Sequence, residues 1–242
     1  MQAHRTMVPC STLLLLLSAF VNARAGALAH LTAQLPEVPA PPQGEVQWVA
    51  HSMRMNGLPM TLKVFRSPLP PDEILSYYES QSQRWGHNEL RRSIVRGSRI
   101  LAIRSSRYLI TIEASESVAG SEGTITVSGA PENFVASTTT QFPHPQSARV
   151  LNRQEYDDAG VEAEHLSLAS TRSAPLEAEA FIDELTRAGW QILRRAPMQT
   201  SSRGARGIVV EAQHGAELAQ LTLQPDQSRL ATTAIIVVWR KS

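Results

Sequence analysis

Two stretches decide how this chain reads: FRSPLPPDEIL at residues 65–75 and TRSAPLEAEAF at residues 171–181. Laid over one another, they match Arg66 and Ser67 with Arg172 and Ser173, and Glu73 with Glu179. Each runs into a helix that ends beside a tryptophan, at Trp85-Gly86 in the first and Gly189-Trp190 in the second. In the first, Pro70 and Pro71 open the helix, where a missing N–H costs nothing, and Asp72 and Glu73 complement its dipole. Ile74, Leu75, Tyr78 and Trp85 recur at helical spacing. In the second, Phe181, Leu185 and Ala188 form the apolar stripe and Gly189 is the stop.

Strand patterns surround both helices. Residues 46–55 and 58–66 flank Asn56-Gly57, a two-residue hairpin signal because both positions tolerate φ > 0. Further strands are expected near 90–95, 100–104, 108–114 and 124–128, then near 191–196, 207–212, 218–223 and 233–240. One helix for several strands supplies too few crossovers for a parallel sheet. The expectation is therefore α+β: two similar modules, each an antiparallel sheet with one helix packed on a face, in the order hairpin-helix-strands, arising by internal duplication. Proline-rich breaks set the boundaries: a signal peptide at 1–25, a tether at 26–44, a first module at 45–130, a linker at 131–146 and a second module at 147–242. Separate modules would leave sheet edges open for strand addition by a partner, whereas edge-to-edge pairing would give one continuous sheet and fewer open edges.

The N-terminus reads as an export signal. His4 and Arg5 precede an apolar run with five consecutive leucines at 13–17, and Ala23-Arg24-Ala25 supplies a small-residue exit. Cleavage is expected after Ala25, with Ala25-Gly26-Ala27 as a second site. The run is short for a membrane span, which takes about 20 residues, so no stable span is expected after cleavage. The single cysteine, Cys10, lies before the leucines. The mature chain would thus hold no thiol for a disulfide, a nucleophile or a thiolate metal site. Periplasmic or secreted localisation follows. Of 23 basic and 22 acidic residues, losing Arg5 and Arg24 leaves 21 against 22. Such a balance gives no basic field for nucleic acid, and no aromatic residues interleave with the arginines to stack bases.

A hydrophobic fraction of 42% with 19% charge describes an ordered globular chain and excludes wholesale disorder. There is no GxSxG, HExxH, phosphate-loop or GxGxxG motif. Three clusters nonetheless carry chemistry. On the first hairpin, His51, Met53, Met55 and Met60 would share a face, a soft donor set that suits Cu(I), although methionine filling a core explains the same pattern. In EYDDAGVEAEH, residues 155–165, hard oxygens could serve Ca²⁺, but strand alternation points His165 away from Glu162 and Glu164, and a solvated polar hairpin is the simpler account. Between residues 91 and 107, Arg91, Arg92, Arg96, Arg99, Arg104 and Arg107 form a basic run. If that run turns near Gly97-Ser98, it could grip an anionic ligand bidentately; an arginine-rich solvent face is the plainer reading. No metal and no cofactor are expected.

The function these features predict is that of an exported, non-catalytic envelope protein acting as an accessory or protein-interaction module with an envelope protein partner. Binding of an anionic ligand or envelope polymer through the arginine face is the alternative. A hydrolase without a local motif is the second alternative.

Overall fold

A computed structural model describes residues 35–158, 161–199, 206–226 and 231–241. The expected leader, residues 1–25, lies outside the described residues. Among the described residues twelve strands are present: β1 (Glu45–Met55), β2 (Leu58–Ser67), β3 (Glu89–Val95), β4 (Ser98–Arg104), β5 (Tyr108–Ser117), β6 (Gly120–Gly129), β7 (Ala148–Asp158), β8 (Val161–Ser170), β9 (Gln191–Gln199), β10 (Arg206–His214), β11 (Glu217–Pro225) and β12 (Thr233–Arg240). Helix α1 (Pro71–Gln81) follows β2 and helix α2 (Ala174–Arg187) follows β8.

All twelve strands belong to one antiparallel sheet in the order β3-β4-β5-β6-β2-β1-β7-β8-β12-β11-β10-β9. This overturns the expectation of an α+β pair of modules, each with its own sheet and a helix on its face. The chain is sheet-dominated, with only two helices among the described residues. The physical cause is a seam: Met53, Arg54 and Met55 of β1 pair with Tyr156, Glu155 and Gln154 of β7. Asn56 reinforces it, donating its N–H to Arg153 O at 2.8 Å and accepting the Arg153 N–H on Oδ1 at 2.8 Å. Two strand edges that would otherwise face water satisfy one another instead.

The local elements follow their residues. The β1–β2 turn has Asn56 and Gly57 at φ 51° and 87°, the left-handed pair a two-residue hairpin requires. Helix α1 begins at Pro71 with Asp72 and Glu73 in its first turn, and Gly189, at φ +86°, ends α2 while Trp190 N–H reaches back to Leu185 O at 2.9 Å. Ile74, Leu75 and Tyr78 of α1 are buried with Phe65, Leu101, Ile110, Ile112 and Ile125. At the other end, Ala178, Phe181 and Leu185 of α2 are buried with Leu166, Val210, Leu221, Ile235 and Val237.

Cross-strand pairs place both helices on the same side of the sheet. Arg54 pairs with Pro59, which shares a side with Phe65; Arg54 also pairs with Glu155, and Arg153, two residues from Glu155, pairs with the buried Leu166. Of the segment expected as a tether, residues 35–44 are described, and they lie on this same side. Val38 is buried, Lys63 Nζ donates to Val38 O at 3.0 Å, and Tyr78 OH donates to Pro39 O at 2.8 Å.

Candidate functional site

The arginine run forms the β3–β4 hairpin, with its turn at Arg96-Gly97, φ 52° and 91°, one residue earlier than Gly97-Ser98. Register divides the arginines between two sides. Arg92 pairs with Leu101, which is buried under α1, and Ile94 pairs with Arg99, so Arg92 and Arg99 lie on the helix side. There acids of α1 and β5 meet them: Arg92 ion-pairs with Glu79 of α1 and donates to Ser76 Oγ at 3.0 Å, and Arg99 lies 2.9 Å from Asp72 of α1 and 3.3 Å from Glu116 of β5. Arg91 and Arg104 occupy the opposite side, where Arg104 pairs with Glu132 at 3.0 Å. Arg91, Arg96 and Arg107 are exposed and have no ion pair to a described residue. The six do not converge on one point.

The methionine hairpin is likewise split. Met55 opposes Leu58 and Met53 opposes Met60, as alternation requires, but register shifts between Trp48 and Ala50 and between Ala50 and Met53 place Ala50 opposite Leu62. His51 is thereby carried out of the ladder. Its ring stacks on Trp48 at 4.1 Å and is exposed, while Met53 is buried. Lys63 Nζ lies over the same Trp48 ring at 4.2 Å. Among the described residues no group of three or more His, Cys, Asp or Glu is placed to hold a metal ion.

The acidic stretch holds the feature that sequence reading missed. Glu164 is fully buried beside the seam, accepting from Arg153 Nη2 at 3.2 Å, Lys241 Nζ at 2.9 Å and Thr140 Oγ1. Arg153 also binds Glu155 at 2.7 Å. Burial alone would raise the carboxyl's pKa, but the hydrogen bonds from Arg153, Thr140 and Lys241 outweigh it and hold the group below the usual carboxylate range. His165, on the other side of β8, packs against Tyr156, and burial pushes its pKa down. No local motif announces this network, because Thr140 and Lys241 lie 24 and 77 residues from Glu164.

The sheet side away from the helices carries a concavity. A trough of about 600 Å³ crosses β1, β2, β6 and β5, lined by Glu45, Gln47, Val64, Arg66, Glu113, Glu122 and Thr124 among others. It continues past Glu45, Arg66 and Glu122 into a second hollow that reaches Val118 at the β5–β6 turn. Farther along this side, Ile236 and Val238 of β12 are 47% and 37% exposed. Carboxylates, one guanidinium, threonines and half-exposed valine and isoleucine make a mixed polar and apolar surface, the composition of a non-obligate protein interface. Among the described residues, no helix covers it.

No family model matches this chain, and no curated protein matches it. Among solved structures it is similar to the apo immunity protein TplEi of the T6SS from Pseudomonas aeruginosa, at 12% identity and a TM-score of 0.32, over 84% of this chain and 83% of that one. The same immunity protein complexed with "L" peptide gives 14% identity and a TM-score of 0.30, over 83% and 82%. The Tle4–Tli4 complex gives 12% and 0.31, over 83% and 81%. At TM-scores near 0.3 these are distant likenesses. No helix of the described residues is long and apolar enough to cross a membrane.

Proposed function

We propose that this chain is an exported, non-catalytic protein-interaction component of the cell envelope. One observation carries the reading: both described helices lie on one side of a single twelve-stranded sheet, and the opposite side keeps a trough with a mixed polar and apolar lining that no described helix covers. Burying an uncovered sheet side against a partner gains hydrophobic free energy without unfolding anything, and the polar residues around it set register. The charged clusters on the helix side, by contrast, are satisfied internally by Glu79, Asp72 and Glu164 and serve the fold. Export rests on the charged start, the leucine run and the Ala23-Arg24-Ala25 exit.

The test has two parts. Fractionation and N-terminal sequencing of the expressed protein should find it outside the cytoplasm and beginning at Gly26; a cytoplasmic chain that retains Met1 contradicts the export reading. The exported chain, used as bait on envelope extract at low and at high salt, should retain discrete proteins at both. Retention of nothing, or of anionic polymer at low salt alone, contradicts the interaction reading.

A further inference from the structure

The sheet ends in two edge strands, and they differ. In a two-residue hairpin the residues flanking the turn exchange both ladder bonds. Val95 and Ser98 flank the Arg96-Gly97 turn, so Val95, Ser93 and Arg91 direct their backbone groups to β4, while Leu90, Arg92 and Ile94 direct theirs to the open edge. At the far end His214 and Glu217 flank a two-residue turn, which places Glu211 and Val209 on β9 and leaves Arg195 and Pro197 at the outer edge. Pro197 has no N–H, so an incoming strand loses a ladder bond there; proline at an edge is a standard obstacle to strand addition. Edge β3 carries no proline.

On this rest two further features of β3. Ile94 is 72% and Val95 50% exposed, one on each side of the strand and beside the outward-facing backbone. Arg91 and Arg96 stand near them with no acid among the described residues paired to them. A second copy of the chain does not suit this edge. Antiparallel pairing of β3 with β3 centred on Arg91 or Arg92 sets that arginine against its own copy, and like charges directly opposed on a sheet are destabilising; centred on Ser93 it overlaps only a few residues and leaves Arg91 and Arg96 without an acid. Edge β9 brings Arg194 and Arg195 as well as Pro197. The chain's own first 34 residues contain neither Asp nor Glu and cannot answer the charge.

We infer that β3 is a docking edge for an extended, acidic segment of a partner protein, which adds as a thirteenth strand. Its backbone bonds to Leu90, Arg92 and Ile94, its apolar side chains cover Ile94 and Val95, and its carboxylates meet Arg91 and Arg96. The inference rests on the interaction reading and names the partner's chemistry.

A fluorescein-labelled nonapeptide alternating Glu and Val, and its Lys-Val counterpart, serve as probes for the full chain after leader removal, read by anisotropy. The Glu-Val peptide should bind, weaken about 10-fold or more between low and moderate salt, and leave the Lys-Val peptide unbound. Ile94→Pro removes an outward N–H without touching a bond to β4, and should weaken binding at least 10-fold. Arg91→Glu with Arg96→Glu keeps the backbone intact and should do the same. Equal binding of both peptides, no binding of either, or Glu-Val binding unchanged in the paired arginine variant overturns the proposal. Retention of discrete envelope proteins equally by Ile94→Pro and by the natural chain would remove β3 as the dock and leave the interaction reading standing; retention of none would remove that reading itself.

Discussion

Arg153 and Glu164 meet at 3.2 Å across β7 and β8, on the helix side of the sheet and one strand from the three residue pairs that join its halves. Glu164 is sealed from water, and Lys241 approaches it at 2.9 Å from beyond the last strand. The carboxylate thus ties β7, β8 and the end of the chain to one point beside the seam.

This network should govern acid stability. Because the folded pKa of Glu164 is lowered, its stabilisation is complete above the ordinary carboxylate value, about 4.3, and is lost as pH falls through the lower folded value. His165, lowered by burial, stays neutral in the fold while the unfolded chain takes up a proton near 6.5, so stability declines as pH falls below roughly that value. Urea unfolding at pH 7.5, 5.5 and 3.5 should therefore show two successive losses. Glu164→Gln should flatten the lower one and His165→Gln the upper. Glu164→Ala, which strands Arg153 and Lys241 without their partner, should cost about 3–5 kcal/mol at pH 7.5. A loss under 1 kcal/mol at that pH, on the scale of an exposed pair, would remove the network from the seam.

Asn56 should matter twice over, as turn residue and as seam residue. Asn56→Gly keeps the φ of 51° accessible but removes the acceptor for the Arg153 N–H, at a cost of about 1 kcal/mol. Asn56→Ala adds left-handed strain and should cost roughly 2 kcal/mol. Equal urea midpoints for the two variants would mean that conformation contributes nothing.

Lys63 pins the described part of the N-terminal segment to the sheet. Lys63→Met keeps a long apolar stem under Trp48 but loses the bond to Val38 O at 3.0 Å. Hydrogen exchange within residues 35–44 should rise at least several-fold, with β4 and β5 unchanged. Uniform acceleration throughout the chain would show that the segment is integral to the fold instead.

Two glycines should fail for different reasons. A Cβ at Gly123 would overlap Glu113 O and lie 2.7 Å from the Phe65 ring, so Gly123→Ala must displace backbone and should cost about 2 kcal/mol or more. A Cβ at Gly86 meets nothing within 4 Å, but φ is +58°, so Gly86→Ala should cost only about 1 kcal/mol. Thermal unfolding of the pair separates contact from conformation.

The turns and helices were readable because their causes are local. Asn56-Gly57, Pro70-Pro71 and Gly189 each act within a few residues, and they sit where they were expected. The single sheet was not readable, since nothing in residues 53–55 or 154–156 announces that those strands seek each other across a hundred residues. The irregularities of β1 between Trp48 and Met53 have no glycine or proline to mark them, so alternation counted from the turn puts His51 opposite Leu62, where Ala50 stands. Glu164 read as a solvated hairpin acid because its cationic partners lie 11 and 77 residues away. The arginine run was visible as composition, while its division between two sides depends on a register set by the Arg96-Gly97 turn.

The proposed protein partner engages the helix-free side and the open end of this sheet. A photocrosslinking residue placed at Ser93 on β3, at Thr124 in the trough and at Asp183 on the exposed face of α2 tests it in living cells. Discrete protein adducts are expected from 93 and 124 and none from 183. Adducts from 183 alone, equal adducts from all three, or none from 93 and 124 would contradict it.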